Sequence, residues 1–133
     1  MVAHPLARLL APLAIVSAVG IVQAQPAEGP QVGEPAPAIE LEGLLHAPEG
    51  APAPNELGWD DLKGNVVVLE FWATWCGPCI AAIPHLNALT EEFKGKPVRF
   101  ISVTDEDETK VRKFLEKRTM SSWIGLDTDR SMG

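Results

Sequence analysis

At 133 residues the chain is long enough for one domain and too short for two. With 46% hydrophobic and 22% charged residues it reads as globular rather than disordered. A formal net charge of -7 argues against the phosphate-binding surface of a nucleic-acid binder, which needs Lys and Arg concentrated on one face.

The N-terminus has Arg8 near its start, then the uncharged apolar run Leu9 to Val22, then Val22-Gln23-Ala24. That is the anatomy of a secretory signal over residues 1–24, cleaved after Ala24. The run falls short of the ~20 residues of a spanning helix, and an uncleaved N-terminal anchor is the alternative. Pro5 and Pro12 weaken a buried-helix reading. Residues 25–37 follow as a proline-rich linker, and the folded domain is expected over 38–133. A second proline-rich stretch, APEGAPAPNELG at 47–58, reads as a surface loop between an N-terminal hairpin and the core.

The run NVVVLEFW at 65–72 has β-branched and aromatic residues without alternation, which predicts a strand buried on both faces. After Ala73-Thr74-Trp75 the period changes. Ile80, Ile83, Leu86, Leu89 and Phe93 recur every three or four residues, predicting a helix that ends near Lys94-Gly95. Pro84 inside it removes one backbone hydrogen bond and predicts a kink.

Both cysteines, Cys76 and Cys79, lie at this strand-to-helix junction. A structural disulfide gains most by closing a long loop, and this pair closes almost none. The spacing suits a dithiol that opens and closes instead. At the helix start, unpaired N–H groups and the helix dipole favour a Cys76 thiolate. Cys79, a turn further in, is expected to be sheltered. Glu70 sits mid-strand, where an ionised carboxylate is costly. The expectation is a proton exchange with Cys79, with desolvation favouring the protonated acid; pairing with a lysine or reaching solvent is the alternative.

The acidic run in TDEDETKVRKF reads as a helix start, with Asp105 as N-cap, Glu108 three on, and Val111, Phe114 and Leu115 facing the core. Glu108 and Arg112 are spaced for an i,i+4 pair. A calcium loop lacks its spaced ligands here. A metal set of Cys76, Cys79, His85 and His46 is disfavoured, because His85 lies nearly two turns from Cys79 and off its face. No metal and no cofactor are expected.

The motif WCGPC resembles the active site of thioredoxins, and VVVLEFWATWCGPC…IP resembles exported TlpA/ResA-like thiol–disulfide oxidoreductases. The similarity runs from about Gly33 to the end: VGEPAPAIELEGL resembles that family's opening strands, WDDLKGN its lead-in, VRFISVTDEDETKVRKFLEKR its next strand and helix, and WIGLDTDRS the approach to the element after. The resemblance implies an α/β thioredoxin-like fold, an N-terminal hairpin plus β-α-β-α. It implies Cys76 as attacking thiolate, Cys79 as resolving thiol, and a redox-active Cys76–Cys79 disulfide. Trp75 would flank the site, Gly77 and Pro78 would tune its potential, and Glu70 would be the buried acid; Trp72, a core or site-wall residue, and Pro84 are expected to shape the site with them. The family's cis-proline loop, two later strands and last helix have no counterpart before DTDRSMG, so the domain is expected to be incomplete. The strand at 66–71 would then be an exposed apolar edge.

The function expected is an exported reductant of disulfide-bonded proteins in the bacterial periplasm or cell envelope, serving cytochrome maturation or repair and re-reduced by a membrane electron donor. The alternative is a thioredoxin-like module without turnover. Neither needs nucleic acid.

Overall fold

The computed structural model describes residues 32–132. The expected signal segment at 1–24 and the first part of the linker lie outside the described residues. Among the described residues four strands form one sheet in the order β1-β4-β3-β2, with β1 at Gly43–Leu45, β2 at Val66–Phe71, β3 at Val98–Thr104 and β4 at Trp123–Leu126. Strands β2, β3 and β4 are parallel, and β1 runs antiparallel to β4. Helix α1 (Gly77–Glu92) links β2 to β3, and α2 (Glu108–Leu115) links β3 to β4.

Two successive crossovers in one direction, each right-handed, put both helices on the same face. Packing agrees: Ile83 of α1 and Val111 of α2 join Trp72, Ile124 and Leu126 in one buried cluster. Phe93, capping α1, meets Phe100 of β3 at 6.2 Å between ring centroids. The other face carries Ile101 and Val103, covered by Ile39, Leu41, Leu57 and Leu62 from the segment before β2. Gly125 makes that cover possible, because a Cβ there would lie 2.9 Å from a Leu41 methyl carbon. The 47–58 stretch is largely a surface loop, with a 3-10 turn at Pro54–Glu56 and only Leu57 buried.

Several expectations are corrected. Among the described residues the N-terminal part contributes one short strand rather than a hairpin, since β1 finds its partner in β4 instead of a neighbour in sequence. The stretch WIGL, read as an approach to the next element, is itself strand β4. Strand β2 is not buried on both faces. Among the described residues it pairs only with β3, leaving Val66 64% and Phe71 52% exposed at its ends and the residues between half-buried. It is the exposed edge that the sequence suggested. Helix α2 is capped by Asp107, whose carboxylate accepts from the Lys110 N–H at 3.0 Å, and not by Asp105, which meets Arg130 Nε at 2.8 Å. The Glu108–Arg112 pair forms at 2.6 Å.

Replacing Ile101, 1% exposed at the middle of β3, by Ala is expected to cost about 2–5 kcal/mol. Val66→Ala on the open edge should stay within about 0.5 kcal/mol. Urea denaturation of the full chain checks both, and equal losses would contradict this division of core and edge.

Candidate active site

Strand β2 delivers its last residues to a tight turn. The Trp72 N–H continues the ladder to Val103 O at 2.9 Å, and the Cys76 N–H closes the turn on Ala73 O at 3.0 Å. Cys76 then caps α1 in extended conformation, with its Sγ accepting from the Cys79 N–H at 3.3 Å. The two cysteines are bonded to each other, Cα to Cα 5.3 Å. Both are half-buried, but not equivalently: Cys79 packs against the cluster of Ile83, Trp72 and Val111, whereas Cys76 stands at the helix mouth. Cys76 Sγ thus lies at the start of the helix, where unpaired N–H groups stabilise negative charge.

The remaining sequence-derived candidates separate. Trp75 is 76% exposed beside the dithiol, and Gly77 and Pro78 are exposed in the first turn of α1. Trp72 is a core residue rather than a wall of the site, with its ring 5.2 Å from that of Phe114. Pro84 lies inside α1 with its ring exposed, and the helix continues through it to Glu92. Glu70 is half-buried rather than enclosed, because β2 is an edge. Its carboxylate accepts from Ser102 Oγ at 3.2 Å, and Ser102 Oγ meets Ser122 Oγ at 2.8 Å, both serines being fully buried. The contact puts Glu70 on the helix-bearing face, because Ser102 alternates with Ile101 and Val103 of the opposite face.

A residue not recognised from sequence holds the turn. Glu106, in the β3–α2 loop and only 7% exposed, accepts from the Thr74 N–H at 2.6 Å and from Thr74 Oγ1 at 2.9 Å. Lys110 Nζ completes its shell at 2.5 Å. Burial pushes the Glu106 carboxyl up, but the Lys110 ammonium and the two Thr74 donors together outweigh it and hold it below the ordinary value of 4.5. The same contact raises Lys110. Glu106 hid inside an acidic run, and its partner lies 32 residues away. An open cavity of about 440 Å³ lies beside this clamp, lined by Trp75, Asp105, Asp107, Lys110 and Arg130 among others.

Neither His85 nor His46 joins the cysteines in a group able to hold a metal among the described residues. His46 Nδ1 instead meets the Met120 carbonyl at 3.0 Å. Glu42, Asp127 and Asp129 form a carboxylate group, and Glu42 and Asp127 already accept from the loop they fasten: Glu42 from the Thr128 N–H at 2.6 Å, Asp127 from the Ser131 N–H at 2.8 Å.

With this geometry in place, comparison with known proteins is decisive at the family level. Residues 31–133 match the Redoxin family. The chain belongs to that family. This Redoxin chain is 34% identical over 98 residues to the thiol-disulfide oxidoreductase ResA of Bacillus cereus, covering 73% of the chain and 52% of the relative. It therefore spans about half the length of the curated relatives it matches. Solved structures share the fold. A Chlorobium tepidum protein described as a thiol:disulfide interchange protein DsbE superposes with a TM-score of 0.56 at 24% identity, over 74% of this chain and 62% of that one. A Neisseria meningitidis protein described as a thioredoxin gives 0.58 at 23%, over 74% and 61%. The α/β fold is thus thioredoxin-like.

Because folding lowers the Glu106 value, its stabilisation is complete above the ordinary carboxylate value of 4.5 and is lost as pH falls through the folded one. Glu106→Gln should cost about 1–3 kcal/mol at pH 7. That difference should shrink below pH 4.5, where the native side chain also protonates. Denaturation midpoints between pH 7 and pH 3 test this, and a pH-independent difference would show that the charge does not matter.

Proposed function

We propose that this chain carries the dithiol of an exported thiol–disulfide oxidoreductase acting as a reductant. The observation that carries this reading is the unequal setting of one bonded pair, with Cys76 capping a helix and Cys79 against the core. The Cys76 thiolate attacks one sulfur of a protein disulfide, forming a mixed disulfide and releasing the other sulfur as a thiolate that takes up a proton. Cys79, deprotonated with Glu70 as the acceptor, attacks Cys76 Sγ and expels the second substrate thiolate. Two electrons pass to the substrate, and the Cys76–Cys79 disulfide remains.

Trp75, Gly77 and Pro78 form the exposed rim that a polypeptide substrate meets, while Trp72 packs beneath it. Glycine and proline between the cysteines resemble reducing thioredoxins, near ~-270 mV, rather than a strong oxidant near ~-120 mV. A membrane electron donor restores the dithiol, and the apolar Leu9–Val22 run directs export to the periplasm or cell envelope. Among the described residues no helix is long and apolar enough to cross a membrane. A binding module without turnover is the second reading, favoured by the open edge of β2.

A redox titration in thiol–disulfide buffers, followed by tryptophan fluorescence, separates the two. A reversible two-electron transition near the thioredoxin potential, abolished by Cys76→Ser, is expected. Glu70→Gln should slow the resolving step by about 100-fold at neutral pH while leaving alkylation of Cys76 intact. No transition would favour the module, and an unchanged resolving rate would remove Glu70 from the mechanism.

A further inference from the structure

A second cavity lies at the opposite end of the sheet, the length of β3 or roughly 20 Å from the dithiol. It encloses about 240 Å³ between the end of α1, the turn that follows, and the starts of β3 and β4. Its lining includes Lys94, Lys96, Arg99 and Ser121, with Glu91 the one carboxylate among the described residues. Glu91 is bonded to Lys94 at 3.2 Å, so that pair is neutral. Lys96 and Arg99 have no ion-pair partner among the described residues. The site is a local concentration of cations in a chain whose net charge is -7.

Both free cations are held against aromatic rings. Lys96 Nζ lies 4.6 Å from the Phe93 centroid, and Arg99 Cζ lies 4.9 Å from that of Trp123. Such contacts fix a cationic head while leaving its N–H donors to a further partner. Arg99 Nε is buried and has no hydrogen-bond partner among the described residues. A buried donor without an acceptor costs free energy, and a ligand oxygen met by a small turn of the guanidinium would recover it. A guanidinium offers two parallel N–H donors that match an oxyanion, and an ammonium adds a point charge.

We propose that this cavity binds a phosphate group, its double negative charge matched by Lys96 and Arg99 and its oxygens accepting from Arg99 Nε and Ser121 Oγ. The phosphate comes from a soluble phosphate compound or from a lipid headgroup. The reading is independent of the dithiol, so its failure leaves the redox proposal untouched.

The test follows the arginine Nε–H resonances of the ¹⁵N-labelled full chain, with Arg99 assigned by the signal lost in Arg99→Lys. Inorganic phosphate is titrated against sodium chloride of equal ionic strength. Phosphatidylcholine vesicles with and without phosphatidic acid are then added. A saturable shift confined to Arg99 with phosphate supports the site and a soluble ligand. A response only to phosphatidic acid vesicles supports it with a headgroup as ligand. Lys96→Met, which leaves Arg99 in place, should weaken either response roughly tenfold or more. No shift with either probe, or equal shifts of all arginines in both salts, overturns the proposal.

Discussion

The in-register parallel pairing of β2 with β3 is the constraint from which the site follows. Phe71 stands beside Val103, and every neighbouring pair keeps the same offset along the chain. Glu70 therefore falls beside Ser102, and three residues past the ladder Thr74 falls beside Glu106. One hydrophobic register thus produces two polar contacts. The first engages the carboxylate proposed as proton acceptor. The second fastens the turn that presents Cys76 to the helix start. A slip of one residue would turn β2's apolar side chains to the wrong face and break both contacts together.

Electrostatics at the turn divides between two acids with different settings. Glu106 is enclosed and charged, and three donors offset its desolvation. It acts through backbone placement, by fastening Thr74. Glu70 is on an edge strand, and its one side-chain hydrogen bond among the described residues comes from the Ser102 hydroxyl. The three donors suit Glu106 to holding a loop.

The sheet also sorts its two ends by charge and exposure. At the carboxyl ends of the parallel strands lie the dithiol, the exposed ring of Trp75 and the acidic loop before α2. At the amino ends lie Lys94, Lys96 and Arg99 around an aromatic-walled cavity. The open side of β2 runs between them, with Val66 near one end and Phe71 near the other. Unpaired strand edges of this kind attract further strands, whether from the same chain or from another.

Much of this was legible from local pattern. The apolar run at 66–71, the change of period after Trp75 and the cysteine pair at the junction specify a strand, a turn and a capped helix, because each depends on residues a few positions apart. The Glu108–Arg112 pair is local in the same way. What the pattern missed depends on distant partners. Trp123–Leu126 is too short to identify itself as a strand, and β1 pairs with it from 80 or so residues earlier, so no hairpin period marks either. Asp105 and Asp107 have equal chemical claims to cap α2, and the choice falls to Asp107 because Arg130, brought in by the loop after β4, engages Asp105. The sequence by itself determined the dithiol, its strand-to-helix setting and the family it resembles. Only the tertiary structure decided that β2 is an edge, that Glu106 secures the turn and that Lys96 and Arg99 share a cavity, because burial and ion pairing are set by which segments meet in space.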